Sequence, residues 1–144
     1  MFTPICRDFI VDVPIEIAWQ HLAKVKQWPS WARHMKRVEL VPAGGLKLQS
    51  VGFIRFKVGI TSSFTVTEMD PPRNWKWVSR ILWLTIQADH RFDVVDAQHT
   101  KLIWIWGCEG FGESIVGRVL AMIVNKQWDI AIRLITAEMN ALSK

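Results

Sequence analysis

Glu113-Ser-Ile-Val-Gly-Arg-Val-Leu-Ala-Met-Ile-Val-Asn-Lys-Gln-Trp-Asp-Ile-Ala-Ile-Arg-Leu-Ile-Thr-Ala-Glu-Met-Asn-Ala-Leu142 is the long stretch of sustained helical periodicity in this chain. At about 100° per residue, Val116, Leu120, Ile123, Val124, Ala131 and Leu134 share one side. Arg118, Asn125, Asp129, Arg133, Thr136 and Asn140 fall opposite, so one stripe must be buried. Gln127 and Glu138 interrupt that stripe. An unpartnered buried amide or carboxylate costs roughly 2 kcal/mol or more, so a tertiary partner, a trapped water or a ligand is expected to meet each of them.

Working outward, the residues before this helix change period from 3.6 to 2. Ile86, Ala88, His90, Phe92 and Val94 alternate with Thr85, Gln87, Asp89, Arg91 and Asp93. After a hairpin loop at Asp96 to Thr100, Leu102, Trp104, Trp106 and Cys108 alternate with Lys101, Ile103, Ile105 and Gly107. Further back, Trp75 to Ile81 and the stretch containing Phe64 and Val66 read as strands, as does Val51 to Ile60, with Ile54, Phe56 and Val58 on one face. Asp70-Pro71-Pro72-Arg73-Asn74 cannot be strand interior, because proline has no ladder donor. Arg37 to Val41 is a strand followed by a turn at Pro42-Ala43-Gly44-Gly45, and residues 5 to 12 form the first strand. Between these two strands, Pro14 is placed at the first helical position of a short helix containing Ile17, Trp19, Leu22 and Ala23. Pro29 is read as the start of a second short helix, Ser30 to Met35.

The order is strand, two short helices, about six consecutive strands and a long helix. Short turns make the strands an antiparallel meander with one face to bury, and the long helix is the element large enough to cover it. A twisted sheet cannot touch a straight helix along its whole length, which leaves room for a gap. The 144 residues are read as one domain, 1–144.

Composition narrows the function classes. Half of the residues are hydrophobic, and there are nine Trp and no Tyr. Indole N–H groups want partners, so a Trp-rich interior suits a lined cavity as well as an ordinary core. The net charge of +5 permits an anionic partner. Its densest run, Lys24, Lys26, Arg33, Lys36 and Arg37, lacks a groove-reading motif and reads as a solvated face, so no nucleic acid is expected. Cys6 and Cys108 are far apart, and His21, His34, His90 and His99 have no metal-ligand spacing. No cofactor and no metal are expected. A reduced, cytoplasmic protein with no signal sequence and no integral membrane segment fits best, because the run Ile115 to Val124 is broken by Gly117 and Arg118.

Several motifs, taken in order, resemble the START/Bet v 1-like (SRPBCC) superfamily, and most closely its bacterial polyketide cyclase/dehydrase-type members. They are Phe9-Ile10-Val11-Asp12-Val13-Pro14 followed by Ile17-Ala18-Trp19, Trp28-Pro29-Ser30-Trp31, and the acidic-Pro-Pro-basic turn Met69-Asp70-Pro71-Pro72-Arg73. His90-Arg91-Phe92 with Thr100, and Gly112 with Gly117-Arg118 at the head of the long helix, complete the set. The resemblance implies an α+β helix-grip fold: a curved antiparallel sheet of about seven strands, with two short helices, wrapped around the long C-terminal helix. It also implies a cavity between sheet and helix that takes lipids, polyketides or other apolar molecules. Some relatives catalyse cyclisation or dehydration and many only bind or transport, and fold alone does not choose.

His90 is the first candidate for chemistry, an inward imidazole expected among Ile86, Phe92 and Trp77. It could exchange a proton or orient a carbonyl; the plainer alternative is a core histidine bonded to backbone or water. Gln127 could bond a ligand or an indole N–H. Glu138, near the helix end, is expected to pair with an arginine or lysine of the early helices. Cys108 has no neighbour in sequence to activate it. The expected ligand-contacting set is Trp28, Trp31, Phe56, Phe64, Trp77, His90, Phe92, Trp104, Trp106, Leu120, Val124 and Gln127, with Trp83 a further cavity-wall candidate. Gly112 to Val119 mimics the spacing of a phosphate-binding loop but lacks the Lys-Ser/Thr pair, and Gly110-Phe111-Gly112 lacks a third glycine and a βαβ context. The expected function is binding, or transport, of a hydrophobic small molecule or lipid. A cyclase/dehydratase-type enzyme with His90 as acid or base is the alternative. A third reading is a partner protein, a homodimer for instance, using the outward Ile103, Ile105 and Met122.

Overall fold

The computed structural model describes residues 5–41, 45–81, 83–110 and 113–143, with backbone only at 81, 113 and 114. The elements are β1 (Ile5–Val11), α1 (Ile15–Ala23), a 3-10 turn (Val25–Ser30), β2 (Met35–Val41), β3 (Val51–Phe56), β4 (Thr61–Asp70), β5 (Asn74–Ile81), β6 (Leu84–Asp96), β7 (His99–Glu109) and α2 (Glu113–Ala141). All seven strands form one antiparallel sheet in the order β1-β7-β6-β5-β4-β3-β2. This is the helix-grip arrangement implied by the motif order. Register shifts at Met35/Arg37, Val66/Glu68 and Val94/Asp96 mark bulges, and bulges bend and twist a sheet locally.

Alternation predicts the inward faces well in the centre of the sheet. Leu102, Trp104, Trp106 and Cys108 are all buried, as are Trp75, Ser79, Phe64 and Val66. It fails at strand ends. Val58 is 82% exposed, because β3 stops at Phe56 and the chain turns through Gly59 at φ +96°. Val94 is 63% exposed, beside the bulge where β6 runs past the elements that cover the sheet. The turn at Pro42-Ala43-Gly44 lies outside the described residues, as do Phe111 and Gly112 ahead of the long helix.

The connector also differs from expectation. Pro14 is the N-cap and not the first helical residue. The second helical piece precedes and contains Pro29 rather than following it. Trp28 decides this local geometry: its indole N–H donates to the Leu22 carbonyl at 2.7 Å, folding the turn back on the end of α1.

α2 is held against β1 by polar contacts on its flank. Arg7 donates to the Asp129 carboxylate at 2.7 Å and to the Asn125 carbonyl at 3.5 Å, and the Asp12 N–H donates to Asn140 Oδ1 at 2.8 Å. The buried line of α2 runs through Ala121, Ala131, Ile135 and Met139, with Val124 and Trp128 partly buried between them. The predicted stripe is therefore displaced sideways, and Ile123 is 46% exposed. Its C-terminal half packs on the main core with Val11, Leu22, Phe92 and Leu102, whereas Ala121 belongs to a second, smaller cluster with Ile86, Trp106 and Cys108. No helix among the described residues is long and apolar enough to cross a membrane.

Candidate functional site

Where the N-terminal half of α2 spans the curved sheet, a cavity of about 230 Å³ remains. Its floor comes from alternate residues of the central strands: Trp77 and Ser79 of β5, Ile86, Ala88 and His90 of β6, Trp104 and Trp106 of β7. Leu120, Ile123, Val124, Gln127, Trp128 and Ala131 of α2 form the roof, and Trp28, Trp31, His34, Met35 and Phe56 close one side. Large indoles hold sheet and helix apart, while Ala88 and Ala131 leave space opposite each other's elements.

Of the residues nominated as ligand contacts, Trp28, Trp31, Phe56, Trp77, His90, Trp104, Trp106, Leu120, Val124 and Gln127 are brought together around this cavity. Phe64 and Phe92 are not on the wall. Both are packed solidly in the core, Phe64 against Trp28 and Trp77 and Phe92 against Trp19. Gly52, its cross-strand neighbour, makes room for Phe64: the ring fills the space that a side chain at residue 52 would take. Trp83 is 55% exposed in the β5–β6 turn and is no part of the wall. Sequence reasoning missed Trp128, which bridges to Trp104 edge-on at 5.6 Å, and the pair Ser62 and Ser79. The two hydroxyls are 2.8 Å apart, and Ser79 Oγ donates to the Ser63 carbonyl at 2.5 Å. Ser79 was legible as inward; Ser62 was hidden because small polar residues at a strand start read as turn.

His90 lies stacked on Trp75, ring centroids 4.4 Å apart and 11° from parallel, with Trp104 edge-on at 5.8 Å. Its companions are therefore Trp75 and Trp104, not Phe92. Burial among these rings lowers its pKa from 6.5 to about 3, because an apolar site disfavours the imidazolium. The ring is neutral at ordinary pH, with one N–H donor and one acceptor. Nδ1 has no hydrogen-bond partner, and neither do the indole nitrogens of Trp31, Trp77 and Trp104. No backbone group satisfies His90 Nδ1. The alternative reading of Gln127, a bond to an indole N–H, is not realised at those three tryptophans. His34 stands at the other side of the cavity over Phe56, and burial, with Lys57 beside it, lowers its pKa to about 4.

Glu138 is not part of this site. It accepts from His21 Nε2 at 2.9 Å and from Ser30 Oγ at 2.8 Å. It does tie the long helix to the early helical pieces, but through a histidine and a serine rather than an arginine or lysine. Cys108 is buried in the smaller cluster. No group of three or more metal-ligating side chains occurs among the described residues.

The fold is shared with structures of low sequence identity. The ZhuI aromatase/cyclase from Streptomyces sp. R1128 superposes with TM-score 0.76 at 16% identity, covering 99% of this chain and 96% of that one. A START superfamily protein from Mycobacterium smegmatis gives TM-score 0.76 at 8% identity, over 96% and 98%. The di-domain aromatase/cyclase BexL of the BE-7585A biosynthetic pathway gives 0.75 at 14% identity over 93% of this chain, which spans only 46% of that larger protein. No curated protein is close enough in sequence to count as a match. The family model described as "Polyketide cyclase / dehydrase and lipid transport" matches residues 7–140, nearly the whole chain including both walls of the cavity, and the protein belongs to that family.

Proposed function

We propose that this protein binds a neutral, mainly apolar small molecule in the cavity between sheet and α2. The observation that carries the reading is a wall of stacked aromatic rings that includes buried, unpartnered polar atoms: Nε1 of Trp31, Trp77 and Trp104, and Nδ1 of His90. A pocket of this make-up rewards apolar area and fixes orientation with a few hydrogen bonds. Each of those groups loses free energy while unsatisfied. A ligand carrying carbonyl, ether or hydroxyl oxygens on an apolar frame would relieve that cost. A charged ligand group would meet no ionised partner on this wall, because His90 and His34 are both held neutral.

Native mass spectrometry of the protein from its own host, followed by identification of any co-purified molecule, tests the reading. We expect a bound apolar molecule that Ala88→Phe, which fills the cavity, excludes. A bare polypeptide mass, with no change in melting temperature across a panel of lipids and polyketides, would overturn it.

Turnover of a polyketide-like or other apolar substrate is the second reading, and the placement of His90 on the cavity wall favours it. A conjugate acid of pKa about 3 makes His90 a weak base at neutral pH, and acid–base catalysis works best with groups tuned near the operating pH. His90 would then serve chiefly to orient a substrate carbonyl. Unchanged turnover of the correct substrate by His90→Ala would exclude this role.

A further inference from the structure

We propose that the rim of the cavity mouth docks the protein on the surface of an anionic lipid bilayer. The meander places the β3–β4 turn, the β5–β6 turn and the C-terminal end of β7 at one end of the sheet, since β3, β5 and β7 run in the same direction. The cavity lies in this half, bounded by Phe56 at the end of β3 and Ile123 on α2. The exposed apolar side chains of the rim are Val58 (82%) and Ile60 (56%) in the first turn, Trp83 (55%) in the second, and Ile115 (74%), Val119 (53%) and Met122 (64%) along α2. On α2 they share one face with Ile123, at the i, i+4, i+7 spacing of an amphipathic helix that lies in an interface.

Charge selects the occupant. Arg55, Lys57, Arg80 and Arg118 are exposed around this apolar rim, and Glu109 is an exposed carboxylate near it. At the opposite end of the sheet Asp12, Glu68, Asp70, Asp93 and Asp96 are interleaved with Arg73, Lys76, Arg91 and Lys101, so the charges there largely cancel, whereas those of the rim do not. The net charge of +5 is thus unevenly placed, turning the mouth towards a negative surface. Apolar side chains ringed by cations match the boundary between acyl chains and anionic headgroups. The proposal rests on the rim and its charge, and it stands or falls separately from cargo binding.

The test is co-flotation with phosphatidylcholine vesicles, with and without phosphatidylglycerol. We expect partition onto the mixed vesicles only, released by added salt. Lys57→Ala and Arg118→Ala should each weaken partition about fivefold, and Val58→Ser with Met122→Ser about tenfold or more. Val94→Ser, a comparably exposed apolar residue at the opposite, charge-balanced end, should leave partition unchanged. These are surface positions off the cavity wall, so melting temperature and ligand binding should persist in every variant. No partition onto phosphatidylglycerol vesicles at low salt would overturn the proposal. So would equal loss on Val94→Ser, or a dimer dissociated by the rim substitutions in a protein that ignores vesicles.

Discussion

Acidification from about pH 7 to about pH 5 is expected to destabilise the fold by about 2 kcal/mol through His90 alone. The imidazole has a pKa of about 3 in the folded protein and an ordinary value of 6.5 when unfolded. Between those values the unfolded chain binds the proton and the folded one does not, so stability rises with pH across this window and falls as the pH is lowered into it. At about pH 5 the gap to the unfolded value is about 1.5 pH units, and each unit is worth about 1.4 kcal/mol. Below the folded value the effect saturates. His34, lowered to about 4, acts in the same direction but is closer to solvent and adds less. The exposed His99, raised by its hydrogen bond to Asp96, works in the opposite sense, its contribution being present at low pH and lost as the pH rises. Both cancel when wild type is compared with His90→Phe, which keeps a flat ring against Trp75 and Trp104. Urea unfolding followed by tryptophan fluorescence at the two pH values measures the difference. Wild type should lose about 2 kcal/mol more than the variant on acidification. Equal acid sensitivity in the two proteins would refute the placement of a neutral, desolvated imidazole at this position.

Other perturbations probe the parts that position the site. Glu138→Ala removes the acceptor shared by His21 and Ser30 and should cost about 1 to 2 kcal/mol in chemical denaturation, with cavity binding little changed. Gly52→Ala drives a methyl group into the Phe64 ring, and should lower stability by about 1 to 3 kcal/mol and disturb the Trp28–Phe64 stack. Thr100→Val deletes the buried hydroxyl that donates to the Val13 carbonyl at 2.8 Å; a loss of about 1 to 3 kcal/mol is expected in the same assay.

The strands were readable because a sheet with one covered face writes its pattern locally, as β7 does from Leu102 to Cys108. Val58 and Val94 escaped that logic. Both have the right residue type at the right parity, but one sits past the last ladder pair and the other beside a bulge, and neither event leaves a mark that periodicity can detect. Pro29 misled for a related reason. Its fixed φ suits a helix start, yet the bond from Trp28 to Leu22 sets the turn earlier, and that bond joins residues whose pairing depends on a folded chain. For the cavity, residue type could nominate aromatic walls but could not tell Phe64, whose ring fills the space over Gly52, from Phe56, which lines the cavity.

By itself, the sequence determined the element order, the antiparallel meander, the covering role of the long helix and the family to which the chain belongs. The first three follow from period, turn chemistry and length, all encoded within a few residues of one another, and the family follows from the resemblance carried by the order of the motifs. Tertiary structure alone decided what the irregular positions of that helix do. Glu138 became a structural tie because Ser30 and His21 arrive beside it from early in the chain. Gln127 reached the cavity because Trp104 and Trp128 keep helix and sheet apart there. The neutrality of His90 was likewise out of reach, since it arises from two indole rings, on the strands to either side of its own, closing round one imidazole. Desolvation is a property of the surrounding volume, and the chain defines that volume only when it has folded.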